Sequence, residues 1–239
     1  MIDLTEDALF AAVDATWPAA RIFEEGPWTF REGRGGGKRV SAATPRTTLD
    51  LPHIHAAETR MRELGQEPLF MLREADSHLD TELANHGYEV VDPVQILATP
   101  TAKLTDIAIP RVTTFVIWEP LAIMAEIWAK GGIGPARLDV MARAQKKTAI
   151  LARWNQKPAG VGFVAISEGI AMVHAVEVLE GQRRQGVAQW IMRQAAFWSQ
   201  AQGAETLAVL CTRSNEAALS LYSGLGFDPV GQYHYRKKP

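Results

Sequence analysis

Val178-Leu-Glu-Gly-Gln-Arg183-Arg184-Gln185-Gly186-Val187-Ala188 has residue types and spacing that suit a phosphate. A β-rich run ends, two arginines follow, and a glycine opens an amphipathic helix. Helix N-termini present unpaired N–H groups and a partial positive charge. Gly186 lets the backbone approach closely, Ala188 does not block it, and Arg183 and Arg184 add charge-assisted donors. A plain strand–helix connection with a solvated arginine pair fits the same residues. Three other clusters fail their own geometry. Gly33-Arg-Gly35-Gly36-Gly37-Lys38-Arg39 misses the phosphate-loop spacing, with Glu32 in place of the first glycine and Arg39 in place of Ser/Thr, so a mobile hairpin loop is expected. Gly160-Val-Gly162-Phe-Val-Ala165 fits G-x-G-x-x-A, but more strand follows where a dinucleotide site needs a helix, so a bent central strand is expected. His53 and His55 lack partners at ligand spacing, so no metal site is expected.

The first segment does not stand alone. Arg183-x-x-Gly186-x-Ala188 resembles the Q/R-x-x-G-x-G/A signature of the GNAT superfamily of acyl-CoA N-acyltransferases. Asn215-Glu-Ala-Ala218-Leu-Ser-Leu221-Tyr222-Ser-Gly-Leu225-Gly226-Phe227 resembles that superfamily's N-x-x-A-x-x-L-Y-x-x-x-G-F element, and between them lie one helix and one strand. The resemblance covers about 111–238. It implies acetyl-CoA as acyl donor and no metal, with pantetheine in a gap between two splayed strands. Backbone groups of Val176 and Val178 would bond the pantetheine amides. The N–H groups from Arg183 through Arg184, Gln185, Gly186 and Val187 to Ala188 would hold the pyrophosphate, and Asn215 would contact the pantetheine arm. The Tyr222 hydroxyl would protonate the leaving thiolate. Acyl transfer to an amine also needs a base. Val173-His174-Ala175-Val176-Glu177-Val178 resembles the L-H-A-L-A-V of arylalkylamine acetyltransferases, where the histidine serves as base. On a regular strand His174 faces the same way as Val176 and Val178, and an imidazole titrating near neutrality suits the task. Glu177 is the rival base. It points to the opposite face unless the strand bulges. In such proteins the helix pair around Gly131-Gly132-Ile133-Gly134-Pro135-Ala136-Arg137 lines the acceptor pocket, so Arg137 is a candidate for a substrate carboxylate.

These residues need elements to position them. Hydrophobic periodicity predicts helices over 4–15, 53–64, 76–86, 120–130, 135–146, 184–202 and 215–224. Two short strands are expected around the glycine loop in 28–44. Further strands are expected over 69–72, 88–98, 111–118, 148–154, 160–167, 171–179, 206–212 and 232–238. The tail Tyr233-His234-Tyr235-Arg236 offers aromatic or donor contacts on the last strand, and Trp118, Trp128 and Trp154 are expected in the core. The proline-punctuated stretch 99–110 reads as a linker. A weak internal repeat relates GQEPLFML (65–72) to GAETLAVL (203–210) and ELANHGYEVVDPV (82–94) to SLYSGLGFDPV (220–230), at offsets of 138 and 139. The fold expected is α/β (α+β) in two GNAT-like units, each a mixed, mostly antiparallel twisted sheet flanked by helices. The units are a degenerate one at 1–100, a linker at 101–110 and a catalytic one at 111–239. In the degenerate copy Leu83 takes the Tyr222 position and Thr48 the Gly186 position, so no CoA binding is expected there.

Composition bounds the partners. The 239 residues are 47% apolar and 22% charged, with a net charge of −2. That gives no bulk pull toward nucleic acid or an anionic membrane, and no apolar run approaches the ~18 residues of a spanning helix. The start MIDLTEDALF has no basic n-region, so a cytoplasmic protein is expected. Cys211, the sole cysteine, excludes an internal disulfide and is expected to pack at a strand end instead of acting as a nucleophile. The reading is an N-acetyltransferase acting on a primary amine of a small molecule or peptide. The alternatives are a non-catalytic acyl-CoA-binding regulatory module and a tRNA-dependent aminoacyl transferase. The oligomeric state is left open.

Overall fold

The computed structural model describes residues 4–47 and 51–239. Helix α1 (Glu6–Thr16) starts where the Thr5 hydroxyl accepts from the Ala8 N–H at 3.2 Å, with Glu6 and Asp7 in its first turn. Strands β1 (Arg21–Glu25) and β2 (Trp28–Glu32) form a hairpin that turns at Gly26-Pro27, and the two-residue β3 (Thr44–Pro45) adds to it. The expected hairpin around the glycine run is therefore one turn too late. Residues 33–37 lead instead into a 3-10 turn, Lys38–Val40. Then follow α2 (Leu51–Glu63), β4 (Phe70–Arg73), α3 (Ser77–Asn85) and β5 (Glu89–Pro100). The C-terminal half is β6 (Thr114–Ile117), α4 (Ala122–Lys130), α5 (Pro135–Arg143), β7 (Lys146–Trp154), β8 (Lys157–Ser167), β9 (Ile170–Val178), α6 (Val187–Ala201), β10 (Thr206–Thr212), α7 (Glu216–Gly224) and β11 (Asp228–Lys237). Thr48 lies outside the described residues.

Eight strands form one mixed sheet in the order β4-β11-β5-β10-β9-β8-β7-β6. All its pairs are antiparallel except β9 with β10. One face packs on α6 through Ile150, Val164, Val173, Val187, Ile191 and Val209. The other face is covered by α1 over Ile96, Ile170 and Met172, and by α4 and α5 over Ala149, Leu151 and Phe163. Gly160 and Gly162 lie against α6, and the register of β8 shifts beside both of them. A Cβ at Gly162 would lie 2.6 Å from Ile191 Cγ2, and one at Gly160 3.1 Å from Val187 Cγ1. The glycines let α6 press onto the strand. Of the three tryptophans expected in the core, Trp128 is fully buried and Trp154 is half-buried, whereas Trp118 is 37% exposed beside the edge strand β6.

The sheet joins the two halves by exchanging their last strands. Strand β5 lies between β10 and β11, and β11 lies between β5 and β4. The registers repeat. Leu72 opposite His234 and Phe70 opposite Arg236 correspond, at an offset of 139, to Cys211 opposite Gln95 and Val209 opposite Leu97. Between β5 and β11, Asp228–Ala98 and Lys237–Glu89 map onto each other at the same offset. The repeat read from sequence thus describes two strand–helix–strand units about a pseudo-twofold axis. The stretch expected as a linker is packed at its start. Strand β5 runs to Pro100, Thr101 donates its hydroxyl hydrogen to the Ala204 carbonyl at 3.1 Å, and Leu104 is buried under α6. The boundary expected at 101–110 consequently interrupts neither the sheet nor its core.

Candidate active site

Strands β9 and β10 pair only from Ile170–Thr206 to Val173–Val209. Beyond Val173 they splay, and a cleft of about 790 Å³ opens between them. At the point of splay β9 bulges. Phe163 faces His174 and Val161 faces Glu177, so Ala175 and Val176 together oppose Gly162, and Ala175 takes φ +52°. The Trp128 indole N–H donates to the Ala175 carbonyl at 2.8 Å and holds the bulge. The extra residue reverses the parity expected from a regular strand. Val173, Val176 and Val178 pack toward α6, while His174 and Glu177 share the opposite face. The expectation that His174 faces with Val176 and Val178 is overturned by that one residue.

The helix end of the cleft matches an anion. Gly186 is left-handed at φ +75° and Arg184 at φ +62°, so α6 begins at Val187 and not at 184. Among the described residues the N–H groups of Arg184, Gln185, Gly186, Val187, Ala188 and Gln189 donate to no carbonyl or side chain. The Arg183 N–H is taken by the Glu180 carbonyl at 3.2 Å, which removes it from the expected set of loop donors. The Arg183 guanidinium, which lines the cleft, donates to the Val178 carbonyl at 3.3 Å. Arg184 and Gln185 are exposed, Val187 is buried in the core so that only its backbone is offered, and Ala188 borders the cleft. Val176 and Val178 lie in the stretch of β9 that β10 does not pair. Asn215 also lines the cleft, but its side-chain carbonyl caps α7 by accepting from Ala218 N–H at 3.1 Å, leaving its amide nitrogen to face a ligand.

Among the groups able to move protons, His174 is poorly placed. It is 5% exposed. Thr16 Oγ1 spends its proton on the Ala12 carbonyl at 2.6 Å, so it accepts from His174 Nε2 at 3.0 Å. The lone pair on Nδ1 then receives the Arg39 Nη1 at 3.1 Å. Burial, and then the Arg39 charge, hold the imidazole well below its usual range. It is neutral with no lone pair to spare, so the base expected at His174 is corrected on the geometry to a structural partner of Arg39. Glu177 differs on every count. It lines the cleft, its carboxylate makes no hydrogen bond or ion pair among the described residues, and it packs against the backbone at Gly131, where any Cβ would overlap it. Burial raises its pKa against the opposing pull of Arg183 and Arg137. Tyr222 is 7% exposed with its ring against Phe227 at 5.7 Å, and its hydroxyl makes no hydrogen bond among the described residues. Burial, and secondarily Cys211, hold the phenol protonated far above neutrality. Cys211 itself is pushed up by burial and donates weakly to the Thr212 and Asn215 carbonyls, consistent with packing.

The N-terminal half supplies the rest of the wall through Trp17, Gly36, Gly37, Lys38, Arg39 and Asp92. The sequence carries no local signal for these beyond the glycine run, because Gly36 and Gly37 are set by docking onto α5 and Trp17 by packing on Phe163 and His174. Arg137 stands exposed on α5 at the same wall, and Tyr233 and Tyr235 of the tail also reach it. No group of three metal-ligating side chains occurs among the described residues, and no helix there is long and apolar enough to cross a membrane.

The splayed parallel pair and the open helix N-terminus agree with comparisons to known proteins. Residues 118–227 match the acetyltransferase (GNAT) family. A Bacillus subtilis (strain 168) protein named as the uncharacterized N-acetyltransferase YobR is 25% identical over 236 residues, covering 94% of this chain and 95% of its own. A GCN5-related N-acetyltransferase from Kribbella flavida superposes with a TM-score of 0.70 at 20% identity, covering 99% of this chain and 97% of its own. A tandem GNAT protein from the clavulanic acid biosynthesis pathway superposes with a TM-score of 0.58 at 13% identity, covering 82% and 74%. The chain has the GNAT fold, and its segment 118–227 belongs to the GNAT acetyltransferase family.

Proposed function

We propose that this protein transfers an acetyl group from acetyl-CoA directly to a primary amine of a small molecule or peptide, with Glu177 as base and Tyr222 as acid. The observation that carries the reading is one cleft that holds the unpaired stretch of β9, an unpartnered carboxylate and a protonated phenol, bordered by Ala188 at the start of α6, where six N–H groups make no hydrogen bond among the described residues. The N–H groups and Arg183 suit the pyrophosphate, and the splayed β9 backbone suits the pantetheine amides. The amine nitrogen attacks the thioester carbonyl carbon, and a β9 backbone N–H polarises the carbonyl oxygen. The amine's proton passes through water to Glu177. The C–S bond breaks, the sulfur takes the Tyr222 proton, and the products are an acetamide and CoA thiol. The N-terminal half acts as a degenerate copy that walls the acceptor side and binds no CoA of its own.

The test is CoA thiol release over a panel of amines, amino acids and peptides. Tyr222→Phe should lower kcat by about 10²-fold, within the range for a general acid, with acetyl-CoA affinity retained in calorimetry. Tight acetyl-CoA binding with no turnover on any acceptor would replace this reading with a non-catalytic binding module.

A further inference from the structure

The acceptor wall holds a cation with which no carboxylate among the described residues forms an ion pair. Arg39 follows the glycine run 33–37, and that run is docked, not mobile. A Cβ at Gly36 would lie 2.5 Å from Val140 Cγ2, and one at Gly37 3.4 Å from Arg137 Nε, both on α5. The docked loop aims the Arg39 guanidinium into the cleft. There it sits over the Trp17 ring at 5.7 Å from the centroid, with Nη1 on His174 Nδ1. Both partners are neutral. Its Nε is buried and makes no hydrogen bond. The nearby carboxylates are committed elsewhere. Asp14 receives both Nε and Nη2 of Arg31, at 2.8 and 2.7 Å, and Asp92 receives Lys38 at 2.5 Å. No carboxylate among the described residues pairs with Arg39. A partly buried guanidinium, its Nε wholly so, held by neutral groups favours an anion brought in from solution. Arg137, across Gly37 on the same wall, adds a second positive charge with no ion pair among the described residues. Both stand on the side of the sheet that presents Glu177, away from the α6 N-terminus where the pyrophosphate is expected.

We propose that Arg39, assisted by Arg137, binds a carboxylate on the acceptor, so that the substrate is an amino acid or short aminocarboxylate whose amine is presented to Glu177. The inference rests on the acetyl-transfer reading and narrows its acceptor. His174 and Trp17 are positioning residues for the guanidinium. Neutral His174 offers Arg39 a lone pair where a carboxylate would have cancelled its charge.

The experiment compares each α-amino acid with its own α-carboxamide, reading kcat/KM by thiol release. The wild type should favour the acid by about 10²-fold, the scale of one charge-assisted pair in a desolvated site. Arg39→Gln should collapse that ratio toward one, chiefly through KM, and Arg39→Lys should restore part of it. A wild type that acetylates acid and amide equally overturns the proposal, as does an Arg39→Gln variant that loses the same factor on both. A second arm reads binding without turnover. N-acetyl amino acids are titrated calorimetrically into wild type and Arg39→Gln, with circular dichroism to confirm that the variant is folded. Binding to the wild type that the variant loses supports the carboxylate site even if no amine turns over, an outcome that would count against acetyl transfer alone. Absence of binding to the wild type overturns the carboxylate site even if amines are acetylated.

Discussion

One inserted residue at Ala175 decides which side chains of β9 can act together. Without it His174, Val176 and Val178 would share a face, and that is the only pattern that alternation in the sequence supports. With it, Glu177 joins His174 on the acceptor side, and the two then divide the work by their partners. His174 is saturated by Thr16 and Arg39, whereas Glu177 keeps a free carboxylate. A base must be deprotonated, so kcat/KM should rise with pH through the Glu177 pKa, above the ordinary value of 4.5 because burial raises it. Glu177→Gln should remove that limb and lower kcat/KM by about 10²-fold or more. Arg137→Gln should move it to higher pH, because a positive charge that favours the carboxylate is lost. The limb from the acceptor's own ammonium moves with the acceptor and not with the enzyme, so pH profiles on two amines of different basicity separate them. A limb that persists in Glu177→Gln would return the base to water or to another group. The placement of Asn215 and Tyr222 at the cleft and of Gly186 at the start of α6 was legible because these residues stand at fixed spacing in one continuous stretch. The choice between His174 and Glu177 was not, because a bulge has no local signature in this strand and both of His174's partners come from residues 135 or more positions away.

The helix α6 illustrates how an element turns backbone geometry into a binding surface. Its amphipathic face was readable, and Val187, Ile191 and Ala195 are buried as the period requires. Its start was not, because Arg184 as well as Gly186 takes positive φ, which delays the helix by three residues and turns the intervening N–H groups outward. That geometry yields a graded prediction. A Cβ at Gly186 meets nothing closer than 3.8 Å, so Gly186→Ala suffers only the left-handed backbone, about 1–2 kcal/mol, and should weaken acetyl-CoA binding by roughly tenfold. Aspartate tolerates that backbone better than alanine, yet Gly186→Asp places a carboxylate against the pyrophosphate and should weaken binding much further. Calorimetry with acetyl-CoA orders the two. Equal affinities for wild type and Gly186→Asp would remove the pyrophosphate from this helix end. The glycine run 33–37 teaches the opposite lesson. Its residues suggested mobility, but Gly36 is glycine because Val140 presses on it, a contact made across about a hundred residues of chain.

At the scale of the molecule, the exchange of β5 and β11 links the two units more tightly than a tether would. Each half completes its sheet with the other's last strand, and the cleft takes its floor from β9 and β10 and its far wall from Trp17 and residues 36–39. The sequence carries the repeat as a faint 138–139 offset. It could not show the exchange, since a strand that pairs within its own unit and one that pairs across units carry the same alternation. A chain of this length often unfolds in stages, domain by domain. Here neither unit retains a complete sheet when the other opens, so heat should unfold the protein in one transition, with calorimetric and van't Hoff enthalpies in agreement. Ile96 is fully buried in β5 and pairs with both Leu210 and Gly231. Ile96→Ala should therefore cost about 2–5 kcal/mol and lower the melting temperature of the whole molecule, the environment of the buried Trp128 in the other half included. Two resolved transitions, or a Trp128 signal that melts unchanged in Ile96→Ala, would mean that the exchanged strands do not couple the units. The wall formed by Trp17 and residues 36–39 would then open independently of the β9–β10 gap.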